Sequence, residues 1–204
     1  EELISRLNPK DAARKKNELA SLEQIDSFAF GRADVVVFPC PEAEEPYYHT
    51  WKNYALVRNE ATLRYLPTGI QGCAAKVDRD EVRKNYGIPS GAFVMSYAGR
   101  HNSVKGYDSL KDAVLPMLDR NANMWMIVAG KEGPLPSPSH ERWIEVGWTS
   151  DPHSLIAASD VFILPNRETF FDLIMLEVLS LGVPIVATDT GGNRYFRKFE
   201  NVGI

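Results

Sequence analysis

Apolar runs alternate with amphipathic stretches along most of the chain, and this alternation predicts its secondary structure. Short continuous runs rich in Val, Ile and Met are typical of strands buried on both faces of a sheet. Such runs lie at residues 92–98, 125–129, 143–148, 161–164 and 184–188. Stretches with apolar residues at helical spacing alternate with these runs, at residues 78–86, 106–120, 151–159 and 172–182. This order predicts an α/β fold, a Rossmann-like parallel sheet with helices on both faces.

Local signals predict where several of these helices begin and end. Asp151 followed by Pro152 is typical of an N-cap and a first helical position. Gly87 and Gly182 come directly after two of the helical stretches and predict C-caps. Pro116 lies inside the stretch 106–120, so we expect this helix to be interrupted or kinked there.

The first third of the chain has a less regular pattern. Residues 1–22 are charge-rich and have leucines on successive turns, which predicts an amphipathic helix. The β-branched run at 34–38 predicts a short buried strand. Residues 44–63 carry aromatic and apolar side chains at helical spacing and predict a helix, and 64–70 predict a strand that ends in a Pro-Thr-Gly turn.

Composition excludes several classes of protein. A hydrophobic fraction of 44% in 204 residues is enough for a packed core, and a net charge of −4 argues against a nucleic-acid partner. Cys40 and Cys73 are too few for a disulfide framework and lack metal-ligand spacing, so we expect idle thiols in the reducing cytoplasm. No apolar run approaches the roughly 18 residues of a membrane span. The start has charges throughout, lacks a signal core and does not begin with Met, so we expect a piece of a longer chain.

Polar residues and glycines follow four of the predicted strands. Ligands of an open parallel sheet bind beyond the carboxyl ends of its strands, so these segments are the candidate site. They are "GRHNSVKG" after 92–98, "GKEGP" after 125–129, "PNRETFFD" after 161–164 and "DTGGN" after 184–188. Neither a G-x-G-x-x-G fingerprint nor a Walker lysine loop is present among them.

Arg100 and Lys105 share one of these loops, five positions apart and just before a predicted helix. A planar guanidinium, a point charge and helix N–H groups together suit a diphosphate. The alternative is a pair of solvated surface cations.

Glu168 and Glu177 stand on either side of the predicted start of a helix near Asp172. Glu168 would lie in the loop over the ligand crevice at the carboxyl ends of the strands. Glu177 would lie along the edge of that crevice, where it could accept hydrogen bonds from ligand hydroxyls. The alternatives are a loop carboxylate and an exposed helix glutamate.

Taken together, the strand-end segments resemble a known enzyme family. "GRHNSVKG", "VGWTSDPHSLIAASDVFILPN" and "ETFFDLIMLEVLSLGVPIVATDTGGN" occur in the order found in the C-terminal, donor-binding domain of retaining glycosyltransferases of family 4, which have the GT-B fold. "RADVVVFPC" and "YLPTGI" resemble the end of the N-terminal domain and the start of the C-terminal one. The resemblance implies that residues 1–63 are the tail of an acceptor domain with the interdomain connection, and that 64–204 are a donor domain truncated at its C-terminus.

The family's motifs assign roles to individual residues. Gly99, Arg100 and Lys105 match the glycine–arginine pair and the lysine that neutralise the donor diphosphate. Of the glutamate pair, the resemblance implies a catalytic position near the donor sugar for Glu168 and a bond to the ribose hydroxyls for Glu177.

Further donor contacts follow from the same resemblance. The glycine pair Gly191–Gly192 is expected close to the donor site. The N-terminus of the helix near Leu173 is expected to stabilise the charge that builds up as the nucleoside diphosphate departs.

Two departures from the family pattern concern the glutamate motif. Eight residues separate Glu168 from Glu177, one more than usual, so a one-residue bulge before the helix would be needed. Phe171–Asp172 replaces the usual small glycine, and Asp172 would compete with phosphate for helix N–H groups or serve as a plain N-cap or turn residue. Tyr195 stands where an acid is often found after the glycine pair.

The site is expected to need neither a metal nor another cofactor, since "PNRETFF" contains no Asp-x-Asp. Trp148, or the backbone of Val146 and Gly147, is expected to border the base; the alternative for Trp148 is core packing.

The resemblance implies a hexosyltransferase of glycan biosynthesis that uses a nucleotide-diphosphate sugar. The acceptor, a glycan, lipid or protein, would be bound by the missing N-terminal domain, through which a cytoplasmic enzyme could also touch a membrane. We expect this piece alone to bind the donor but to transfer sugar weakly or not at all. The alternative is a non-catalytic nucleotide-sugar-binding or scaffolding module.

Overall fold

A computed structural model describes residues 9–199 of the chain. The chain divides into two compact units, with the division between Pro67 and Thr68. Part of the predicted helix over 1–22 lies outside the described residues, and the described part belongs to a helix that continues to Arg32. It stays a prediction that the first unit is part of an acceptor domain and the second unit a donor domain.

The first unit combines helices with a small parallel sheet. Helix α1 spans Pro9–Arg32, strand β1 Val36–Phe38 and a 3₁₀ helix Pro41–Glu44, and these are followed by α2 (Glu45–Thr50), α3 (Tyr54–Val57) and β2 (Leu63–Tyr65). Strands β1 and β2 pair in parallel. The strand expected within 64–70 therefore begins earlier and belongs to the first unit.

The prediction of one helix over 44–63 is wrong, because a buried carboxylate draws this segment into a compact turn. Glu44 is 4% exposed and accepts hydrogen bonds from Tyr54 Oη at 2.7 Å, from Arg58 Nε at 2.6 Å and from Tyr65 Oη. In an unbroken helix Arg58 would lie about 21 Å along the axis from Glu44. The chain breaks at Trp51, whose backbone is extended, and the two side chains then reach the carboxylate.

The second unit is built on a five-stranded sheet in which all neighbouring strands are parallel. Its strands, in chain order, are β3 (Phe93–Ala98), β4 (Met124–Ala129), β5 (Trp143–Gly147), β6 (Val161–Leu164) and β7 (Ile185–Ala187). Their spatial order is β5-β4-β3-β6-β7. Its helices are α4 (Arg79–Asn85), α5 (Tyr107–Arg120), α6 (Pro152–Ala157), α7 (Leu173–Ser180) and a 3₁₀ helix at Gly191–Lys198.

Helices cover both faces of this sheet, as predicted. Alternate residues of β3 point to opposite faces. Met95 packs in the cluster that holds the buried stripe of α5, whereas Val94 packs with Val82 of α4 and Leu155 of α6. Helix α7 adds Met175 to a third cluster, which continues along β6. Burial on both sides explains why the strands are continuous apolar runs rather than alternating ones.

The predicted helix ends at Asp151, Gly87 and Gly182 are confirmed, whereas the break expected inside α5 is not found. The Asp151 side chain accepts a hydrogen bond from the backbone N–H of Ser154, and Gly87 and Gly182 have φ values of 68° and 71°. Pro116 lies within α5, which runs through it as a single helix. The predicted interruption is therefore wrong: proline removes one N–H donor, but its position on the exposed side leaves the buried stripe of the helix intact. A kink at Pro116, the other form of the expectation, stays a prediction. In the described part of the chain, no helix has the length and apolar character needed to span a bilayer.

Candidate functional site

Three strand-end segments meet closely at the carboxyl edge of the sheet. A Cβ atom on Gly106 would lie 1.8 Å from the carbonyl oxygen of Pro165, at the end of β6. Cβ atoms on Gly191 and Gly192 would lie 1.9 Å from Thr169 O and 2.0 Å from Phe170 O, respectively. Only glycine allows these approaches, so the loop after β3, the loop after β6 and the predicted glycine pair form one packed surface.

The loop at residues 99–106, which we call the clamp loop, is fixed by hydrogen bonds at both ends. Gly99 N donates to Ala129 O at 2.9 Å, and Tyr97 Oη donates to the carbonyl of Arg100 at 2.9 Å. Near its other end, Asn102 Oδ1 accepts from the backbone N–H of Lys105 at 2.8 Å. The backbone is thus held in place, while the Arg100 side chain is exposed at the edge of the sheet.

Lys105 is engaged by a carboxylate of the loop after β6. Its Nζ lies 2.8 Å from Oδ1 and 3.1 Å from Oδ2 of Asp172. Asn166 Nδ2 donates to Oδ2 of the same aspartate, and Asn166 is only 1% exposed. Burial and the negative charge of Asp172 also raise the pKa of Tyr97, which keeps its hydroxyl protonated as the donor to Arg100 O.

Helix α7 begins at Leu173 with Asp172 at its N-cap position, as predicted. The Asp172 side chain makes no capping hydrogen bond to the helix; its carboxylate faces Lys105 instead. The predicted N-cap position is thus confirmed, whereas capping by the Asp172 side chain, and with it competition for the helix N–H groups, is not found. The alternative of a turn residue stays a prediction. The helix start, with Leu173 47% exposed, is left open beside a lysine ammonium.

Glu177 lies in the second turn of α7 and contacts a neighbouring helix. Its Oε2 is 3.2 Å from Nε2 of His153 on α6, and each side chain of the pair is 29% exposed. Glu177 is thus engaged by His153, which was not among the predicted site residues. Its role in ribose binding stays a prediction.

Glu168 is half-buried in the loop between β6 and α7. The next residue, Thr169, is 5% exposed, and its carbonyl oxygen accepts from Gly192 N at 3.3 Å. The segment that carries Glu168 therefore packs on the glycine pair. Its catalytic role and the one-residue bulge stay predictions.

Several polar side chains at this edge of the sheet were not among the residues predicted from the sequence. Asn166 is the second residue after the predicted strand β6, and its position in that strand-end segment was the available signal. No sequence signal pointed to His153, because its partner Glu177 lies on another helix. His101 is 1% exposed and stacks on Tyr107 with ring centroids 3.9 Å apart; burial lowers its pKa, against the opposing charge of Glu145.

Trp148 is 77% exposed after β5, so the core-packing alternative is wrong. Its place beside a base stays a prediction. Within residues 9–199, no group of three or more His, Cys, Asp or Glu side chains is arranged to hold a metal ion. Metal independence likewise stays a prediction.

Comparison with known sequences points to one family. The profile of the family described as "Glycosyl transferases group 1" matches residues 92–202, more than half of the chain. The chain is similar to D-inositol 3-phosphate glycosyltransferase 1 of Catenulispora acidiphila, with 29% identity over 134 residues, which cover 56% of this chain and 32% of the relative. It is also similar to the lipopolysaccharide core biosynthesis mannosyltransferase LpsB of Rhizobium meliloti, with 31% identity over 128 residues, 56% of this chain and 36% of the relative.

A solved structure has the same architecture. Anabaena Alr3699/HepE in complex with UDP-glucose superposes with a TM-score of 0.66 at 17% identity, over 85% of this chain and 50% of that one. This likeness shows the fold, that of GT-B glycosyltransferase structures. The chain spans about a third of the length of the two curated relatives and half of the solved chain.

Proposed function

Because the chain belongs to the glycosyl transferases group 1 family, we propose that its second unit, residues 68–204, is the donor-binding domain of a retaining glycosyltransferase of family 4. The donor is a nucleotide-diphosphate sugar, and UDP-glucose is the first one to test, since a protein of the same fold was solved in complex with it. The chemistry is the transfer of a hexosyl group to a glycan, lipid or protein acceptor in the cytoplasm.

The observation that carries this proposal is the position of Lys105 at the open start of α7. The packed clamp loop places an ammonium group within 3.1 Å of both oxygens of Asp172, the residue directly before the helix. A helix start carries partial positive charge and N–H groups that suit an anion. A diphosphate bound there would meet Lys105 and the helix together, and Arg100 on the same exposed loop would add a guanidinium fork.

The proposed chemistry uses these groups at the step in which the donor is cleaved. As the bond between the anomeric carbon and the β-phosphate oxygen breaks, negative charge builds up on the departing diphosphate. Fixed positive groups around that charge lower the barrier because they need no reorganisation during the reaction. Arg100, Lys105 and the N–H groups at Leu173 supply them, without a metal ion.

The other proposed contacts orient the donor around the diphosphate. Glu177 accepts hydrogen bonds from the ribose hydroxyls, and Trp148 borders the base. Glu168 stands beside the sugar, and the backbone of Gly191–Gly192 closes the site from the next strand end. The acceptor is bound by an N-terminal domain of which the first unit is the tail, so residues 1–204 alone bind donor but transfer sugar poorly.

A thermal-shift panel tests this proposal. UDP, GDP, ADP and TDP and their glucose derivatives are added to the wild type, to Arg100→Ala and to Arg120→Ala. The last variant removes an exposed arginine from the end of α5, away from the clamp loop. A ligand at a hundred times its dissociation constant stabilises a protein by about 2.7 kcal/mol.

We expect the nucleotides of one base to raise the melting temperature of the wild type and of Arg120→Ala. The same nucleotides should raise that of Arg100→Ala much less. A folded wild type that responds to no nucleotide would overturn the proposal. Binding without any transfer, in a chain that also carries an acceptor domain, would instead favour the non-catalytic binding module.

A further inference from the structure

Asp172 is held in place more firmly than an exposed residue before a helix needs to be. Lys105 Nζ contacts both carboxylate oxygens, at 2.8 and 3.1 Å, and Asn166 Nδ2 donates to one of them. Asn166 is 1% exposed and Asp172 keeps only 18% of its side-chain surface exposed. The carboxylate therefore has a fixed position on the edge of the sheet.

Helix capping does not account for this position, since the Asp172 side chain makes no hydrogen bond to α7. Its negative charge instead lies beside the cation of the clamp loop, where the proposed function puts a diphosphate. A ligand there must share Lys105 with Asp172, and each negative charge on the ligand is repelled by the fixed carboxylate.

The two ligands of such a site differ in charge. In a nucleotide sugar each phosphate is a diester with one negative charge. In a free nucleoside diphosphate the terminal phosphate is attached only through the anhydride bond to the other phosphate, and its second ionisation, with a pKa near 6, adds about one more charge at neutral pH. A fixed carboxylate therefore weakens the binding of the released diphosphate more than that of the donor.

We propose that Asp172 is a specificity-determining residue of the donor site, which by its charge favours the nucleotide sugar over the nucleoside diphosphate. This inference rests on the proposed function. Because it weakens the binding of the nucleoside diphosphate, Asp172 speeds the release of this product and reduces its competition with incoming donor. Lys105 keeps enough positive charge for the donor, because Asp172 neutralises it only in part while a ligand is bound.

Titration calorimetry with UDP and with UDP-glucose tests the inference, or the corresponding pair for whichever base binds. Asp172→Asn retains the shape and an oxygen that can accept from Lys105, but it removes the charge. We expect Asp172→Asn to tighten the binding of UDP about tenfold and that of UDP-glucose only about threefold, since the more highly charged ligand is relieved of the larger repulsion. Asp119→Asn at the far end of α5, where the side chain is 72% exposed, should change neither.

Equal changes for both ligands, or weaker binding of UDP, would overturn the inference while leaving the proposed function in place. Binding of neither ligand to the wild type would overturn both. Asp172→Ser serves as a second neutral variant, checked for folding by circular dichroism, and it should shift the ratio of the two affinities in the same direction.

Discussion

The Oε2 atom of Glu177 lies 3.2 Å from Nε2 of His153, which joins the second turn of α7 to the start of α6. One carboxylate oxygen is thus engaged by a ring nitrogen, while 29% of the Glu177 side chain remains exposed. A carboxylate fixed in this way loses less side-chain entropy when a ligand hydroxyl binds to it. The pairing favours the proposed ribose contact.

Replacing Glu177 by glutamine should weaken nucleotide binding. The variant retains an oxygen acceptor but loses a charged hydrogen bond, worth about 1.5–3 kcal/mol, so we expect at least about tenfold weaker binding of the best nucleoside diphosphate in calorimetry. Glu141→Gln, in an exposed loop, is the matched control and should bind like the wild type. With the 2′,3′-dideoxy nucleotide the difference between Glu177→Gln and wild type should vanish; an unchanged difference would exclude the ribose contact.

Gly106→Ala should destabilise the second unit more than a comparable glycine substitution. Gly106 has a φ of 66° and its Cβ would lie 1.8 Å from Pro165 O, whereas Gly182 has a φ of 71° with open space around it. Gly182→Ala should therefore lower the free energy of unfolding by about 1 kcal/mol, the cost of a left-handed backbone alone. Gly106→Ala should lose at least about 2 kcal/mol more in urea titrations, because of the clash. Equal losses would mean that the two loops separate easily.

Acid should remove the stability that Asp160 gives the second unit. Its carboxylate pairs with Arg79 and with Arg83 Nη2 at 2.9 Å, and it accepts from Val94 N at 2.7 Å. Burial alone would raise the pKa of Asp160, but the hydrogen bonds from Val94 and the two guanidinium groups outweigh burial and lower it. A lowered pKa contributes stability above the unfolded value of about 3.9, and this contribution is lost as the pH falls below it.

The corresponding measurement compares Asp160→Asn with the wild type in urea at pH 7 and at pH 3. We expect a loss of about 3 kcal/mol at pH 7, because Arg83 stays buried without its counter-ion, and a clearly smaller loss at pH 3. Asp112→Asn, at an exposed position of α5, is the control and should change the free energy of unfolding by less than about 0.5 kcal/mol at either pH. A loss that is the same at both pH values would contradict the assigned ion pairs.

The sheet could be predicted from sequence because each of its signals is local. Continuous apolar runs indicate strands covered on both faces, and Asp151 and Gly182 mark helix ends through their own backbone neighbours. The parallel order in turn places the loop of Lys105 and that of Glu168 at one edge, so the location of the candidate site could also be predicted.

The pairings within that edge could not be predicted. Lys105 and Asp172 lie 67 positions apart in the chain, and only the folded loops bring the ammonium to the carboxylate. Local capping preference pointed to the wrong partner for Asp172, since a long-range ion pair competes with the helix for the same side chain. Likewise the helical spacing over 44–63 gave no sign that Glu44 would draw Tyr54 and Arg58 to itself.

Lys105→Ala tests the account most directly, in calorimetric titrations with the nucleoside diphosphate whose base binds the wild type. Loss of a charge-assisted contact to phosphate, with Asp172 left unpaired at the site, should weaken binding at least about tenfold. The matched control is Lys84→Ala on the exposed side of α4, which should bind like the wild type. If Lys105→Ala is folded and binds the nucleotide as tightly as the wild type does, the proposed donor site is contradicted.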